Sequence, residues 1–309
     1  MKILVTGGAG FLGSNLCESL YKDGHEVICL DNFHTGRMKN LVGLDIQVIH
    51  HDIKNPLFEK EALIGKVDQI YNLACPASPP AYQDDPVNTT LTNVLGIYNV
   101  LKYAEKYGAT VLQASTSEIY GEPQIHPQPE YYRGNVNTIG IRACYDEGKR
   151  CAESLLYDFH RKHGVDIRLV RIFNTYGPKM SPDDGRVITN FIKQALNNED
   201  ITIYGNGTQT RSFCFVDDNV NALKAVMRSN LKIPLNVDNP VEITINELVT
   251  LILEKTKSKS RVVYMPLPQD DPTKRKPDIT RIQESLFWYP KTSLSDGLDK
   301  TIEYLKGEL

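Results

Sequence analysis

The chain has 309 residues, of which 41% are hydrophobic, 24% charged and 8% aromatic, with 35 Lys and Arg against 38 Asp and Glu for a formal net charge of -3. These are ordinary globular values, and at roughly 150 residues per domain the length suggests two lobes. A pI near 6.2 with both signs interspersed speaks against nucleic-acid and membrane partners, because it offers neither a basic field nor a polybasic segment.

The opening MKILVTGGAGFLG is apolar for only four residues before glycines begin, too short for a signal-peptide core, and no later run is long enough to span a bilayer. Six cysteines, Cys17, Cys29, Cys75, Cys144, Cys151 and Cys214, form no CxxC pair. Disulfides and zinc are therefore not expected, and a reducing cytoplasm is. His50-His51 and the pair His160 and His163 lack a third ligand at metal spacing, so no metal site is expected either.

Short β-branched runs at 3–6, 26–31, 46–50, 69–73, 110–114 and 166–171 alternate with helical patterns at 11–22, 86–107 and 144–163, each followed closely by Gly. The alternation predicts an α/β fold, a doubly wound parallel sheet of Rossmann type over residues 1–175. The last two helices are long and rather apolar, which suggests a homodimer that buries their outer faces. After 175 the punctuation becomes dense, at Gly177-Pro178, 181–185, 205–207 and 266–277. Residues 176–309 thus read as a smaller α+β lobe, packed on the first with some exchange of segments, since no linker separates them.

Gly7, Gly10 and Gly13 fall between the first strand and the first helix, where a tight turn lets backbone N–H groups and a helix N-terminus approach a pyrophosphate. A glycine turn also closes strand onto helix for structural reasons alone. Asp31 narrows the choice: it ends the second strand, where a carboxylate accepts from both adenosine ribose hydroxyls and repels a 2'-phosphate, so NAD is favoured over NADP. Asp52 and Ile53, past the third strand, are candidates for the adenine, with a plain strand-end Asp as the alternative.

Tyr145 and Lys149 stand four apart at the start of a helix and share a face, while Thr116, Ser117 and Glu118 follow the fifth strand at the carboxyl edge of the sheet. An ammonium about 4 Å from a phenol contributes roughly 4 kcal/mol at an effective dielectric of 20. That would bring Tyr145 near neutrality as a general base; otherwise Tyr145 packs and Lys149 is solvated.

The motifs GGAGFLG, LDNFHTGR, NLACPASPPAY, ASTSEIYGEPQIHPQ, RACYDEGKR, RIFNTYGP, DGRVITNFI, YGNGTQTRSF and DDPTKRKPDIT span nearly the whole chain. Together they resemble the extended short-chain dehydrogenase/reductase family, and within it the UDP-glucuronate decarboxylase (UDP-xylose synthase) branch. The resemblance implies that Tyr145 takes the proton of the sugar 4-hydroxyl beside Thr116, with Lys149 lowering its pKa. It implies Glu118 as acid/base next to C5 and Arg275 as a cation reaching into the site. It adds Phe11, Leu12, Asn32, Thr35, Gly36, Leu73, Thr92, Ala114 and Thr175 to the NAD site. Ser117, Asn174, Arg186, Asn190, Tyr204, Gln209, Arg211 and Arg275 would bind the UDP-sugar.

Oxidation at C4 creates a ketone β to the C6 carboxylate, the electron sink that carbon dioxide loss requires. A related dehydratase uses adjacent Asp and Glu, whereas this chain has Ser117-Glu118; apiose-forming relatives have Cys at the position of Ser117. Two departures stand out. The branch reads K-T-N where this chain has Leu91-Thr92-Asn93, a potential loss of roughly 1.5 to 3 kcal/mol of charge-assisted bonding to substrate. The usual GPRM is Gly177-Pro178-Lys179-Met180 here. A sugar without a C6 carboxylate would make the same Tyr145, Lys149 and NAD a 4-epimerase or 4-oxidoreductase. Arg275, between Lys274 and Lys276, could also be part of a solvated charge run.

Overall fold

The computed structural model describes residues 1–266 and 274–309; residues 270–273 of the DDPTKRKPDIT motif lie outside the described residues. Six strands follow the expected order: β1 (Lys2–Thr6), β2 (Glu26–Asp31), β3 (Gln47–His50), β4 (Gln69–Asn72), β5 (Thr110–Thr116) and β6 (Ile167–Ile172). The helices among them are α1 (Phe11–Lys22), α2 (Glu61–Ile64), α3 (Pro79–Asp84), α4 (Pro86–Tyr107) and α5 (Ala143–His163). A seventh strand, Pro234–Val237, pairs in parallel with β6 and completes the order Pro234–Val237, β6, β5, β4, β1, β2, β3. It comes from beyond residue 175, so the two halves of the chain share one sheet.

Alternation along the strands divides the core in two. Leu4, Ile28, Ile70 and Val111 pack beneath α4 and α5 against Ile97, Leu101 and Leu156. Ile3, Val5, Val27 and Leu112 face the other way, toward Leu16 and Leu20 of α1 and Val220 and Leu223 of the helix Val216–Arg228. All of these are nearly or wholly buried, and burying an aliphatic side chain of this size contributes roughly 1.5–3 kcal/mol.

Local chemistry sets the helix ends. Asp85 caps α4, its carboxylate accepting from the N–H of Asn88 at 2.9 Å, with Pro86 at the first helical position and Gly108 stopping the helix at φ 70°. Where α5 crosses α4, Gly148 lies so close that an added Cβ would stand 2.9 Å from Asn93 Nδ2. That approach seats the first turns of α5 over the carboxyl ends of β4 and β5. Across the sheet, Arg171 on β6 grips Glu153 of α5 through Nε at 3.0 Å and Nη2 at 2.8 Å.

The remaining residues form small sheets and helices above that same edge. Thr210–Ser212 pairs antiparallel with Glu242–Thr244 and parallel with Lys274–Arg275. All six cysteines are free thiols. Among the described residues, no helix is long and apolar enough to cross a membrane, and no group of three His, Cys, Asp or Glu side chains is arranged to hold a metal.

Candidate active site

A cleft of about 720 Å³ runs along the carboxyl edge of the sheet, between the glycine turn and the C-terminal elements. At one end the turn is closed by backbone: Gly7 N–H donates to Leu30 O at 2.8 Å, with Gly7 at φ 70°. A Cβ on Gly13 would stand 2.0 Å from Gly7 O, so only glycine lets α1 start this close to β1. The first turn of α1 carries no acidic residue, and Gly10, Phe11, Leu12 and Gly13 line the cleft. A positively polarised helix end therefore faces the space.

Asp31 is 7% exposed and accepts from Ala9 N–H at 2.9 Å and Phe33 N–H at 2.8 Å. Burial raises its pKa, while the N–H groups of Phe33 and Ala9 oppose the rise. Gly36 does not line the cleft as expected: it backs onto Asp31, where an added Cβ would stand 2.8 Å from either carboxylate oxygen. Its role is to leave room for that carboxylate. Asn32 donates to Asp52 at 3.1 Å, and Thr35, Asp52, Ile53, Leu73, Thr92, Ala114 and Thr175 line the same end. The glycine cradle and the helix end, which donate, and the buried carboxylate at the end of β2, which accepts, are the groups that NAD needs.

At the centre, Tyr145 is 7% exposed, its ring stacked on Tyr82 at 5.0 Å. Thr116 hydrogen-bonds to its phenol. Lys149 Nζ donates to Ala114 O at 3.0 Å and lies 5.7 Å from the Tyr145 ring centroid. The expectation that Lys149 brings Tyr145 near neutrality is not met in this geometry. Burial, followed by Cys75, pushes the phenol up, Thr116 opposes the rise, and burial also lowers Lys149. Desolvation outweighs the attraction because the ammonium is spent on a carbonyl.

Beyond Tyr145 the site is charged. Glu118 is 9% exposed; Arg142 Nη2 donates to its Oε2 at 2.7 Å, and Arg275 Nη2 lies 2.9 Å from Oε1 and 3.0 Å from Oε2. Burial alone would raise Glu118, but Arg275 and Arg142 hold it below the usual range. Arg275 also donates to Asn174 Oδ1 at 3.3 Å, so it is an integral part of the site and no solvated charge run. Ser117, Asn174, Arg186, Asn190, Tyr204, Gln209 and Arg211 complete the lining.

Among the lining residues that the sequence reading did not assign to the site are Arg142 and Tyr82. Arg142, three before Tyr145 in RACYDEGKR, resembles a solvated cation at a helix start, and only its 8% exposure reveals it. Tyr82, in PASPPAY, stacks on Tyr145. Leu91 moves the other way: it is 41% exposed on the outer face of α4 and does not line the cleft, whereas its neighbour Thr92 does. Its side chain therefore takes no cation away from the cleft. Lys179 lines the cleft and pairs with Glu18 at 2.6 Å.

Residues 3–237 match the NAD dependent epimerase/dehydratase family. The chain belongs to that family. This member is 49% identical over 312 residues to UDP-glucuronic acid decarboxylase 1 of Danio rerio, a match that covers 100% of this chain and 73% of the relative. The structure of UDP-glucose 4-epimerase with UDP-glucose from Thermotoga maritima matches with TM-score 0.93 and 30% identity, covering 100% of this chain and 99% of that one. UDP-glucuronic acid 4-epimerase from Bacillus cereus, in complex with UDP-glucuronic acid and NAD, matches with TM-score 0.89 and 27% identity over 100% of both chains.

Proposed function

We propose that this protein converts UDP-glucuronate to UDP-xylose and carbon dioxide through oxidation, decarboxylation and re-reduction at C4. The observation that carries the reading is the cation pair on Glu118, Arg142 and Arg275, placed beyond Tyr145 where an anionic sugar would lie. The likeness to UDP-glucuronic acid decarboxylase 1 along the whole chain supports it.

Bound NAD accepts a hydride from the sugar and later returns it. Gly7, Gly10 and Gly13 would hold its diphosphate and Asp31 its adenosine ribose, with the rest of the lining at that end around them. Tyr145 would take the proton of the 4-hydroxyl, oriented by Thr116, and hand it back on reduction. Lys149 would fix the ribose. Glu118 would act at C5 from its ionised form, kept so by Arg142 and Arg275. Beside Glu118 stands Ser117, where a dehydratase would have the acid that protonates a departing hydroxyl, and this separates the pair from dehydration. Residues 176–309 would supply the diphosphate and uridine contacts, among them Arg186, Asn190, Tyr204, Gln209 and Arg211, so the division near residue 175 is one of task.

We read Val87, Leu91, Leu95 and Tyr98, an exposed apolar row at helical spacing on α4, as the seam of a homodimer. Six free thiols fit a reducing cytoplasm.

Incubating the NAD-loaded protein with UDP-glucuronate and weighing the product by mass spectrometry tests the activity. Release of carbon dioxide and a nucleotide pentose is expected. The rival reading, a UDP-glucuronate 4-epimerase, is favoured by the Bacillus cereus likeness and predicts a product of unchanged mass. Sedimentation equilibrium tests the dimer.

A further inference from the structure

Gln128 is 1% exposed and stands between Pro127 and Pro129, which have no N–H, so it carries the one backbone donor of the three residues. That N–H donates to Lys276 O at 2.8 Å, while the side-chain Oε1 accepts from Lys276 N–H at 2.8 Å. One buried residue thus grips both backbone polar groups of another. Asp278 N–H closes the clamp by donating to Gln128 O at 3.0 Å, an oxygen that also accepts from Asn236 Nδ2 at 2.8 Å. Gln128 Nε2 donates to Ile125 O at 3.0 Å. An N–H on one side and a carbonyl on the other allow the amide a single orientation. Gln128 itself does not line the cleft.

The gripped residue is the neighbour of Arg275 in the run Lys274-Arg275-Lys276. Successive side chains of extended backbone point to opposite faces. Arg275 accordingly turns to Glu118 and Asn174, and Lys276 turns to Glu242, 3.1 Å away. A slip of one residue would exchange the faces and offer Glu118 a lysine. The guanidinium meets Glu118 through Nη2 and Asn174 through Nη1, whereas a lysine has a single nitrogen and cannot span the two in that way. The strand that could resist the slip is short: Lys274–Arg275 pairs with Thr210 and Arg211 over two residues. So brief a pairing specifies register weakly, and the clamp on Lys276 supplies what it lacks.

We propose that Gln128 is a positioning residue: it sets the register of residues 274–276 and so presents Arg275, in place of a neighbouring lysine, to Glu118 and the substrate. The inference rests on the decarboxylase reading for the substrate that Arg275 meets, and Gln128 acts on that substrate through Arg275 alone.

A double-mutant cycle on NAD-loaded protein tests this, with Gln128→Leu and Arg275→Ala alone and combined. Gln128→Leu should lower kcat/KM for UDP-glucuronate about tenfold or more, as a misplaced cation at the reacting centre implies, and leave NAD affinity level. In the Arg275→Ala background the same change should cost less than about twofold, because the side chain that Gln128 places is gone. A glutamine with a purely structural role would cost the same in both backgrounds. Wild-type kcat/KM in Gln128→Leu, or equal losses in the two backgrounds, overturns the proposal. If Gln128→Leu does not fold, Gln128→Asn, whose amide is one methylene short of Lys276 N–H, takes its place in the cycle with an expected loss of about fivefold. Wild-type protein that releases no carbon dioxide overturns the functional reading instead; the cycle is then read from calorimetric affinity for UDP-glucuronate, and the same comparison of backgrounds decides.

Discussion

At one end of the cleft the positively polarised groups are backbone N–H groups at the start of α1; at the other they are the guanidinium groups of Arg142, Arg186, Arg211 and Arg275. The first end depends on what is missing, a Cβ at Gly7 and Gly13, and tolerates most changes in the side chains around it. The second depends on long side chains held by partners, and its charge can be changed one residue at a time. An anion bound by backbone is recognised by shape, whereas one bound by arginines is recognised by charge balance and fork geometry. The contrast fits a protein whose cofactor is fixed and whose substrate has to be chosen among similar sugars.

The sharpest way to break the contrast is Gly13→Val. A side chain there meets the oxygen of Gly7, which cannot move without opening the turn, so NAD binding followed by fluorescence should be abolished; retained binding would mean that the turn is not the cradle. Arg275→Ala attacks the other end. It leaves the buried Glu118 with one of its cations removed, a change that costs about 3–5 kcal/mol in comparable pairs. A drop in kcat/KM of a hundredfold or more is expected, with NAD affinity unaltered, and loss of NAD binding in this variant would show that the two ends are not independent. Asp31→Asn should have a smaller effect, about tenfold in the ratio of NAD to NADP affinity, because one repulsive charge is removed from the ribose site. Leu91→Lys should be the mildest: KM for the sugar should stay within about twofold, while sedimentation shows a weaker dimer, since an exposed change away from the cleft reaches substrate poorly.

The same contrast explains what could be read from the sequence. The strands β1 to β6 were legible because each is a β-branched run bounded by turns, and α1, α4 and α5 because their apolar spacing ends at glycine. Gly7, Gly13 and Asp31 were legible because backbone chemistry restricts the residue types allowed there. Pro234–Val237 was not, since four residues that begin with a proline carry no periodicity and join the sheet only through their pairing with β6. Arg142 was hidden for a different reason. A charged residue at a helix start reads as solvated until tertiary packing buries it, and here the packing brings in residues distant in the chain, Glu118 after β5 and Arg275. The pKa argument for Tyr145 failed for the same reason: spacing gave Lys149 the right face and could not reveal Ala114 O as its acceptor.

The seventh strand also gives the protein a timetable. While the chain is being synthesised, β6 emerges with one edge unpaired, and it stays so until residue 237 has followed some sixty residues later. When that strand docks, Asn236 donates to Gln128 O at 2.8 Å and to Asp278 O at 3.0 Å, which ties an early loop to a segment made later still. A nascent chain stopped near residue 175 would therefore hold a nearly finished nucleotide fold with an open, apolar sheet edge, the kind of surface on which chaperones act and aggregates start.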